Sequence, residues 1–363
     1  MCVRWIALCL ALLTVPPAFA ASGGEQGRSL TAVDQVILPG HAVLIEAASN
    51  QQQSVEALCA MPGTDTLERA RADFDGLVAA FSRIEFIRFG PARTDFRAER
   101  LFFWPDRRGR GLKQVQALLK AADAGALSGA SLYEKSVAVQ GLPALEYVLF
   151  GEGAGQLGRA GDPLRCRYAL AIAANVVNVA GALQADWIAP DGHRARMAAP
   201  AGDNAVYRSQ AEVLRTLLDA GREQLQLVID GKLARPLGES IERARPKRAP
   251  LWRSGNDLPS VIANIEGLIA LFASLKSDDE TRSDNRAADV LIGSLLIELG
   301  SARDAIVRAR HIADGQGSAY ELAQARELLE YAVIPLGGAL DVLSESLPGA
   351  FGLIAGFNAL DGD

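Results

Sequence analysis

Residues 141–151 read GLPALEYVLFG, an apolar run that carries a single charged side chain, Glu146. Leucine is its commonest residue and favours helix. Pro143 suits the first turn of a helix that begins near Gln140, because the first turn has no use for the missing N–H group. A carboxylate on such an apolar helix is expected to be at least partly buried. It then needs an arginine, a metal or several hydrogen bonds as partners.

The segments on both sides of this run also have helical patterns. The most regular one places apolar residues at steps of three and four: Leu67, Ala70, Phe74, Leu77, Val78, Phe81 and Ile84. Further helices are predicted near residues 30–58, 94–104, 134–150, 162–188, 205–234, 257–276, 284–313 and 319–346. The first of these is expected to kink or split at Pro39. Asp162, followed by Pro163, is expected to cap the helix at 162–188. No segment alternates in the manner of a β-strand.

These patterns predict an all-α protein of two packed helical-bundle domains. Residues 189–204 are rich in Pro, Gly and Ala, and we take them as the domain boundary. The N-terminal bundle would then span residues 21–200 and carry the run at 141–151. The C-terminal bundle would span residues 201–363. The net charge of −6 argues against a partner held by nucleic-acid phosphates.

The first twenty residues have the pattern of a signal peptide. Arg4 precedes a short apolar stretch, and Ala18-Phe19-Ala20 is a cleavage signal. Residues 1–20 are therefore predicted to be a leader that exports the chain to the bacterial periplasm or cell envelope. The longest later apolar run, 170–183, is interrupted by asparagines, so no transmembrane segment is expected in the mature chain.

Removal of the leader leaves two cysteines, Cys59 and Cys166. In an oxidising compartment two cysteines favour one disulfide, although two separate buried thiols are the alternative. A bridge between them would close a loop of roughly a hundred residues. By reducing the entropy of the unfolded chain, such a bridge would stabilise the folded state by about 4–5 kcal/mol.

Several blocks in one order resemble the imelysin-like family, whose members are bacterial cell-envelope proteins classed as metallopeptidase-like (peptidase M75) and linked to iron uptake. The family signature is Gly-x-His-x-x-Glu. This chain has Gly141 and Glu146, with Pro143 at the histidine position. The other blocks are SRIEFIRFGP at 82–91, RAERLFFWPDRRGRG at 97–111, DPLRCRYALAIAANV at 162–176, RAPLWRSG at 248–255 and IELGSARDAI at 297–306. The resemblance implies a cleft between two helical bundles, lined by the signature.

Two glutamates are candidate ligands of that cleft. Glu146 is either a cleft ligand or the acidic half of a structural salt bridge to a neighbouring helix. Glu85 follows Ile84 at the buried edge of the most regular helix. It is placed either to face Glu146, where two carboxylates would suit a divalent metal or iron, or to pair with Arg88.

Basic residues and histidines supply the other candidates. Arg97 and Arg100 lie one turn apart and would bind an anion or neutralise Glu146, unless they form a solvated helix face. His41 follows the predicted kink and is placed to reach the cleft. The segment 243–253 is the largest basic patch, suited to anionic envelope surfaces or simply a charged loop. The sequence contains neither HExxH nor Glu-x-x-His.

Three functions follow from these residues and the resemblance. The favoured one is a periplasmic binding or accessory protein in iron or metal acquisition that uses the interdomain cleft. A metallopeptidase is the second, and Pro143 weakens it by removing the imidazole of the signature. The third is a metal-free helical protein whose cleft holds a peptide or an envelope protein.

Overall fold

The computed structural model describes residues 23–106, 108–120, 127–159, 162–277 and 286–353, and within these ranges the chain forms helices and no strand. The predicted leader at 1–20 lies outside them. The N-terminal half contains α1 Gly23–Ala32, α2 Leu38–Ala60, α3 Thr64–Arg83, α4 Arg97–Leu101, α5 Arg110–Lys120, α6 Gly129–Tyr133, α7 Gly141–Phe150, α8 Pro163–Ile188 and α9 His193–Ala198. The C-terminal half contains α10 Gln210–Gln226, α11 Arg235–Leu237, α12 Asp257–Ser274, α13 Arg286–Ala313, α14 Ala323–Asp341 and α15 Leu347–Ala350. The predicted all-α class is confirmed.

The first bundle is built on α2, which packs against both α3 and α8, with α7 lying against α3 and α8. The apolar stripe predicted for α3 is buried along its whole length. Helix α8 begins as the sequence predicts, since the Asp162 side chain caps it by accepting a hydrogen bond of 3.0 Å from the backbone N–H of Arg165. The start of α8 is therefore set by a local cap, whereas the stripe on α3 marks the face that packs against neighbouring helices.

Pro39 does not split its helix. The chain is helical from Gly23 to Ala60, with a π-helical turn at Val33–Ile37 immediately before α2. A proline lacks the N–H group and its ring clashes with the carbonyl of the preceding turn. A wider π turn at that place lets the helix continue past the ring.

Two predicted helices are shorter in the structure than in the sequence pattern. The helix expected at 94–104 is reduced to α4. It begins only at Arg97, because Asp95 and Phe96 have positive φ angles of 51° and 57°, which a right-handed helix does not allow. Within the pattern at 134–150 the α-helix begins at Gly141, as the position of Pro143 predicts, because Gln140 is extended and serves as the N-cap of α7. Both breaks are backbone turns that apolar periodicity does not report.

The second bundle consists of α10, α12, α13 and α14, and α12 packs against both α13 and α3. The crossing of α3 and α12 is close because Gly267 faces the carbonyl of Arg83. A Cβ atom at Gly267 would lie 1.9 Å from that oxygen. Helix α1 lies against α10 and α12, so the start of the chain packs on the second bundle. The domain boundary at 189–204 stays a prediction.

The predicted disulfide is confirmed. Cys59 in the last turn of α2 and Cys166 in the first turn of α8 are bonded, with their Cα atoms 5.6 Å apart. The bond joins two helices that already pack along their length.

Among the residues that the structure describes, three helical stretches are long and apolar enough to cross a membrane, by length and composition only: Gly27–Ala60, Pro163–Ala198 and Asp257–Ser274. The sequence prediction, which counted uninterrupted apolar residues, found none of this length. Two buried polar side chains on these stretches donate hydrogen bonds to protein partners. Gln51 donates to the carbonyl of Ala70, and Asn175 donates to the side chain of Gln140.

Candidate functional site

Glu146, on the inner face of α7, is 3% exposed and is held by a loop from the C-terminal half. Its Oε1 atom accepts hydrogen bonds from the backbone N–H groups of Arg253 at 2.8 Å and Ser254 at 3.0 Å, and from the Ser254 hydroxyl at 3.2 Å. Its Oε2 atom lies 3.9 Å from the Arg253 guanidinium. Leu251 in the same loop has a positive φ of 54°, which helps to turn successive N–H groups toward one point.

These contacts offset part of the cost of burying the carboxylate. Burial raises the pKa of Glu146 above its usual value, and the hydrogen bonds from Ser254 and the charge of Arg253 act against that shift. Glu146 therefore joins the two halves of the molecule through backbone donors. Its salt bridge with the Arg253 guanidinium is weak, because the two groups are 3.9 Å apart.

A cleft of about 550 Å³ opens beside this contact. We call it the signature cleft. One wall is α7, through Pro143, Glu146 and Tyr147, and the opposite wall is the segment 247–253. Aromatic and basic side chains make up much of the lining of both walls and of the space between them: Phe103, Trp104, Arg235, Lys247, Arg248, Trp252 and Arg253.

Gly141 has a structural reason to be glycine. Its φ is +70°, and a Cβ atom there would lie 2.3 Å from the carbonyl oxygens of both Arg100 and Leu101. The start of α7 is thus pressed against the end of α4. The signature glycine sets the position of α7, and with it the position of Glu146, but it offers no group to a ligand.

Arg97 and Arg100 do not contact Glu146. Arg97 pairs with Asp186 on α8 at 2.5 Å. Arg100 donates to the backbone carbonyls of Asp95 and Tyr133 and stacks on the Tyr133 ring, with its guanidinium 3.7 Å from the ring centre. Both arginines therefore connect α4 to other segments of the N-terminal half.

Glu85 belongs to a second buried network, which also joins the two halves. Its Oε2 atom accepts from Lys232 Nζ at 2.6 Å and from Asn264 at 3.0 Å, and its Oε1 atom accepts from Arg88 at 3.1 Å. Lys232 lies in the π-helical segment Leu227–Ala234 and is fully buried. Burial alone would raise the pKa of Glu85, but the charges of Lys232 and Arg88 outweigh it and hold that pKa below its usual value.

The two glutamates have separate partners. Glu146 is bound by the loop after Leu251, whereas Glu85 is bound by Lys232, Asn264 and Arg88. The pairing of Glu85 with Arg88 that the sequence suggested is present, and Lys232 is the stronger partner that it missed. The signal was available: Lys232 falls four residues after Val228 on an apolar helical stripe, a position where a lysine must find an acid.

His41 is buried at 2% exposure, and neither of its ring nitrogens has a hydrogen-bond partner among the described residues. It borders a cavity of about 20 Å³, enough for one water, that Glu85 and Leu183 also line. Burial lowers the pKa of His41 from 6.5 to about 4. The histidine is therefore neutral at pH 7, and it does not line the signature cleft.

This pKa shift predicts a pH dependence of stability. Above pH 6.5 His41 is neutral in both the folded and the unfolded chain, and the stability of the protein is at its full value. As the pH falls from 6.5 toward 4, the unfolded chain binds a proton that the folded chain does not, and stability is lost. Relative to His41→Leu, the wild-type protein should lose up to about 3 kcal/mol of unfolding free energy over that range. Urea denaturation of both proteins from pH 7 to pH 4 measures the difference. Parallel curves for the two proteins would contradict the burial of a neutral imidazole.

Comparison with known proteins identifies the family. The family model of imelysin, which is peptidase family M75, matches residues 37–341. The chain belongs to the imelysin family. No curated protein matches the sequence significantly.

Two solved structures share the imelysin fold of this chain. An imelysin-like protein from Psychrobacter arcticum 273-4 is 20% identical, with a TM-score of 0.69 over 94% of this chain and 100% of that chain. A protein from Parabacteroides distasonis ATCC 8503, named an iron-regulated protein A precursor, is 14% identical. Its TM-score is 0.67 over 89% of this chain and 98% of that chain. At these identities the likeness establishes the fold alone.

The residues at the signature of this imelysin do not fit a metal ion. Oε1 of Glu146 already accepts three hydrogen bonds, and Oε2 faces a guanidinium. Pro143 contributes no ligand atom. Across the ranges that the structure describes, no three His, Cys, Asp or Glu side chains gather closely enough to hold a metal. The signature cleft therefore offers positive and aromatic groups to a ligand, and its acids are engaged elsewhere.

Proposed function

We propose that this imelysin is an exported binding protein of bacterial metal acquisition, and that it holds its ligand in the signature cleft. The observation that carries the proposal is the cleft itself, a concave site of about 550 Å³ between α7 and the segment 247–253. Ligand sites of this size between packed helices are common in binding proteins. The similarity in fold to a protein named an iron-regulated protein A precursor supports the link to iron.

Binding is favoured over catalysis because the polar groups at the signature are satisfied internally. A peptidase reaction needs a polarising centre and a group that activates water. Glu146 is the acid of the signature, and its Oε1 atom already accepts hydrogen bonds from Arg253 and Ser254. The same bonds make Glu146 a fixed part of the cleft wall.

The test is iron uptake by cells that lack the gene. We expect uptake of radioactive iron under iron limitation to fall several-fold, and to be restored by the wild-type chain. Glu146→Ala should not restore uptake, since it releases the wall of the cleft. Glu152→Ala is the matched control, because Glu152 is an exposed acid just beyond α7 and should restore uptake fully.

Two measurements complete this test. Mass spectrometry of periplasmic extracts should find a mature chain that begins at Ala21, for the wild type and for both variants at similar levels. Uptake that does not depend on the gene would overturn the proposed function. Peptide hydrolysis by the purified chain that disappears in Glu146→Ala would favour the peptidase instead.

A further inference from the structure

We propose that the signature cleft binds an anionic small molecule with at least two carboxylate or phosphate groups and a flat apolar part, and that it does not bind a bare metal cation. The inference rests on the proposed binding function and names the chemistry of its ligand. Four basic side chains and two acidic ones line the cleft. Which of these charges are already neutralised decides what the cleft attracts.

Both acids are satisfied by backbone N–H groups. Glu146 accepts from Arg253 and Ser254. Asp106 caps the start of α5, where it accepts from the N–H groups of Arg110, Gly111 and Leu112 at 2.9, 2.8 and 3.3 Å. A carboxylate that already accepts several N–H groups has little capacity left for a cation.

The basic side chains, in contrast, remain available. Arg235, Lys247 and Arg248 form no ion pair with any acid in the described part of the chain. The ion pair of Arg253 with Glu146 is a long one, at 3.9 Å. Four positive groups around a concave, partly apolar site concentrate the field and attract a multiply charged anion. The arginines also present paired N–H donors that match the geometry of carboxylate and phosphate.

The aromatic part of the lining is held in a fixed position. The Arg253 guanidinium lies 4.4 Å from the centre of the Trp252 ring, and the Lys247 ammonium lies 5.4 Å from it. Arg253 also lies over the Tyr147 ring at 5.4 Å. Together with the rings of Phe103 and Trp104, which also line the cleft, these rings set a flat apolar surface beside the charged groups. A ligand with a planar part would therefore bind more tightly than an equally charged ligand without one.

The experiment measures binding of defined anions to the full mature chain by calorimetry and by quenching of tryptophan fluorescence. The probes are trimesate, which is a planar tricarboxylate, together with citrate, ferric citrate, pyrophosphate and ferric or zinc ions without a chelator. We expect trimesate and citrate to bind one per chain, trimesate more tightly, with affinity falling as salt rises. The pyrophosphate arm tells a phosphate ligand from a carboxylate ligand.

Variants locate the site. Lys247→Ala/Arg248→Ala should weaken trimesate binding at least tenfold, and both residues are exposed, so the unfolding midpoint should not change. Arg245→Ala is the matched control. Arg245 lies in the same basic segment but does not line this cleft, and binding should stay within about twofold of wild type.

Three results would overturn the inference. They are no binding of any anion, binding of the unchelated metal ions alone, and an equal loss of affinity in Arg245→Ala, which would indicate diffuse attraction. The outcome is separable from that of the uptake experiment. Anion binding without any effect on iron uptake would overturn the proposed function and support the anion site. Loss of iron uptake without any anion binding would support the proposed function and overturn the anion site.

Discussion

Replacing Lys232 with alanine should lower the free energy of unfolding by about 3–5 kcal/mol, because it leaves a carboxylate uncompensated in the core. Lys232 and Glu85 are both buried and lie 2.6 Å apart, so water cannot take the place of the missing ammonium. Urea denaturation at pH 7 measures the loss. Lys247→Ala, at an exposed lysine, is the control and should change stability by less than about 0.5 kcal/mol.

The pH dependence of this loss has a definite sign. In the wild-type protein the pKa of Glu85 is lowered, so its contribution to stability is present above about pH 4.5 and is lost as the pH falls through the folded pKa. In Lys232→Ala, burial is opposed only by Arg88 and Asn264, and protonation of Glu85 becomes favourable. The difference between the two proteins should therefore shrink toward acid pH. A difference that stays constant from pH 7 to pH 4 would contradict this account.

A double variant tests whether the pair or the buried charge dominates. Lys232→Met with Glu85→Gln removes both charges and keeps similar volumes. Its stability should exceed that of Lys232→Ala by about 1–3 kcal/mol, because no uncompensated charge remains. A double variant as unstable as the sum of the two single changes would show that Lys232 and Glu85 do not act as a pair.

Gly141→Ala should destabilise the protein by about 2–5 kcal/mol. The left-handed backbone costs an alanine about 1–2 kcal/mol, and the clash with two carbonyl oxygens at 2.3 Å adds an overpacking cost of about 1–3 kcal/mol. Gly155→Ala is the control, since a Cβ atom there would meet nothing within 4 Å. Thermal unfolding of the two variants gives the comparison.

Gly141→Ala also tests whether the position of α7 affects ligand binding as well as stability. If Gly141 positions α7, Gly141→Ala should weaken trimesate binding at temperatures where the chain is still folded, because Glu146 and the cleft wall move with the helix. A variant that is as stable as wild type would contradict the close approach of α7 and α4.

Local chemistry made much of the fold predictable. The stripe on α3, the cap at Asp162 and the first-turn position of Pro143 depend on neighbours within a few residues, and each appears as expected. The disulfide followed from the cysteine count. The π turn before Pro39 and the break at Asp95 are backbone adjustments that carry no periodic signal.

The candidate site was less predictable, because its partners are distant in the chain. A buried Glu146 was expected, but its donors are backbone N–H groups 107 and 108 residues away. No residue type encodes such donors, which depend on the turn around Leu251. Lys232 is 147 residues from Glu85, and only its place on an apolar stripe hints at burial. Arg97 and Arg100 were recognised as a pair, yet nearby carbonyls and Asp186 occupy them.

The packing of α1 on α10 and α12 bears on how the molecule is assembled. Arg28 donates to the carbonyl of Leu275 and pairs with Asp289, which lie 247 and 261 residues further along the chain. A ribosome delivers α1 before any of the surfaces that receive it. Helix α1 must then wait, its buried face uncovered, until the chain has been made as far as Asp289. Closure of the second bundle becomes a late, long-range event, and until it occurs the receiving surfaces of α10 and α12 are open to non-native contacts.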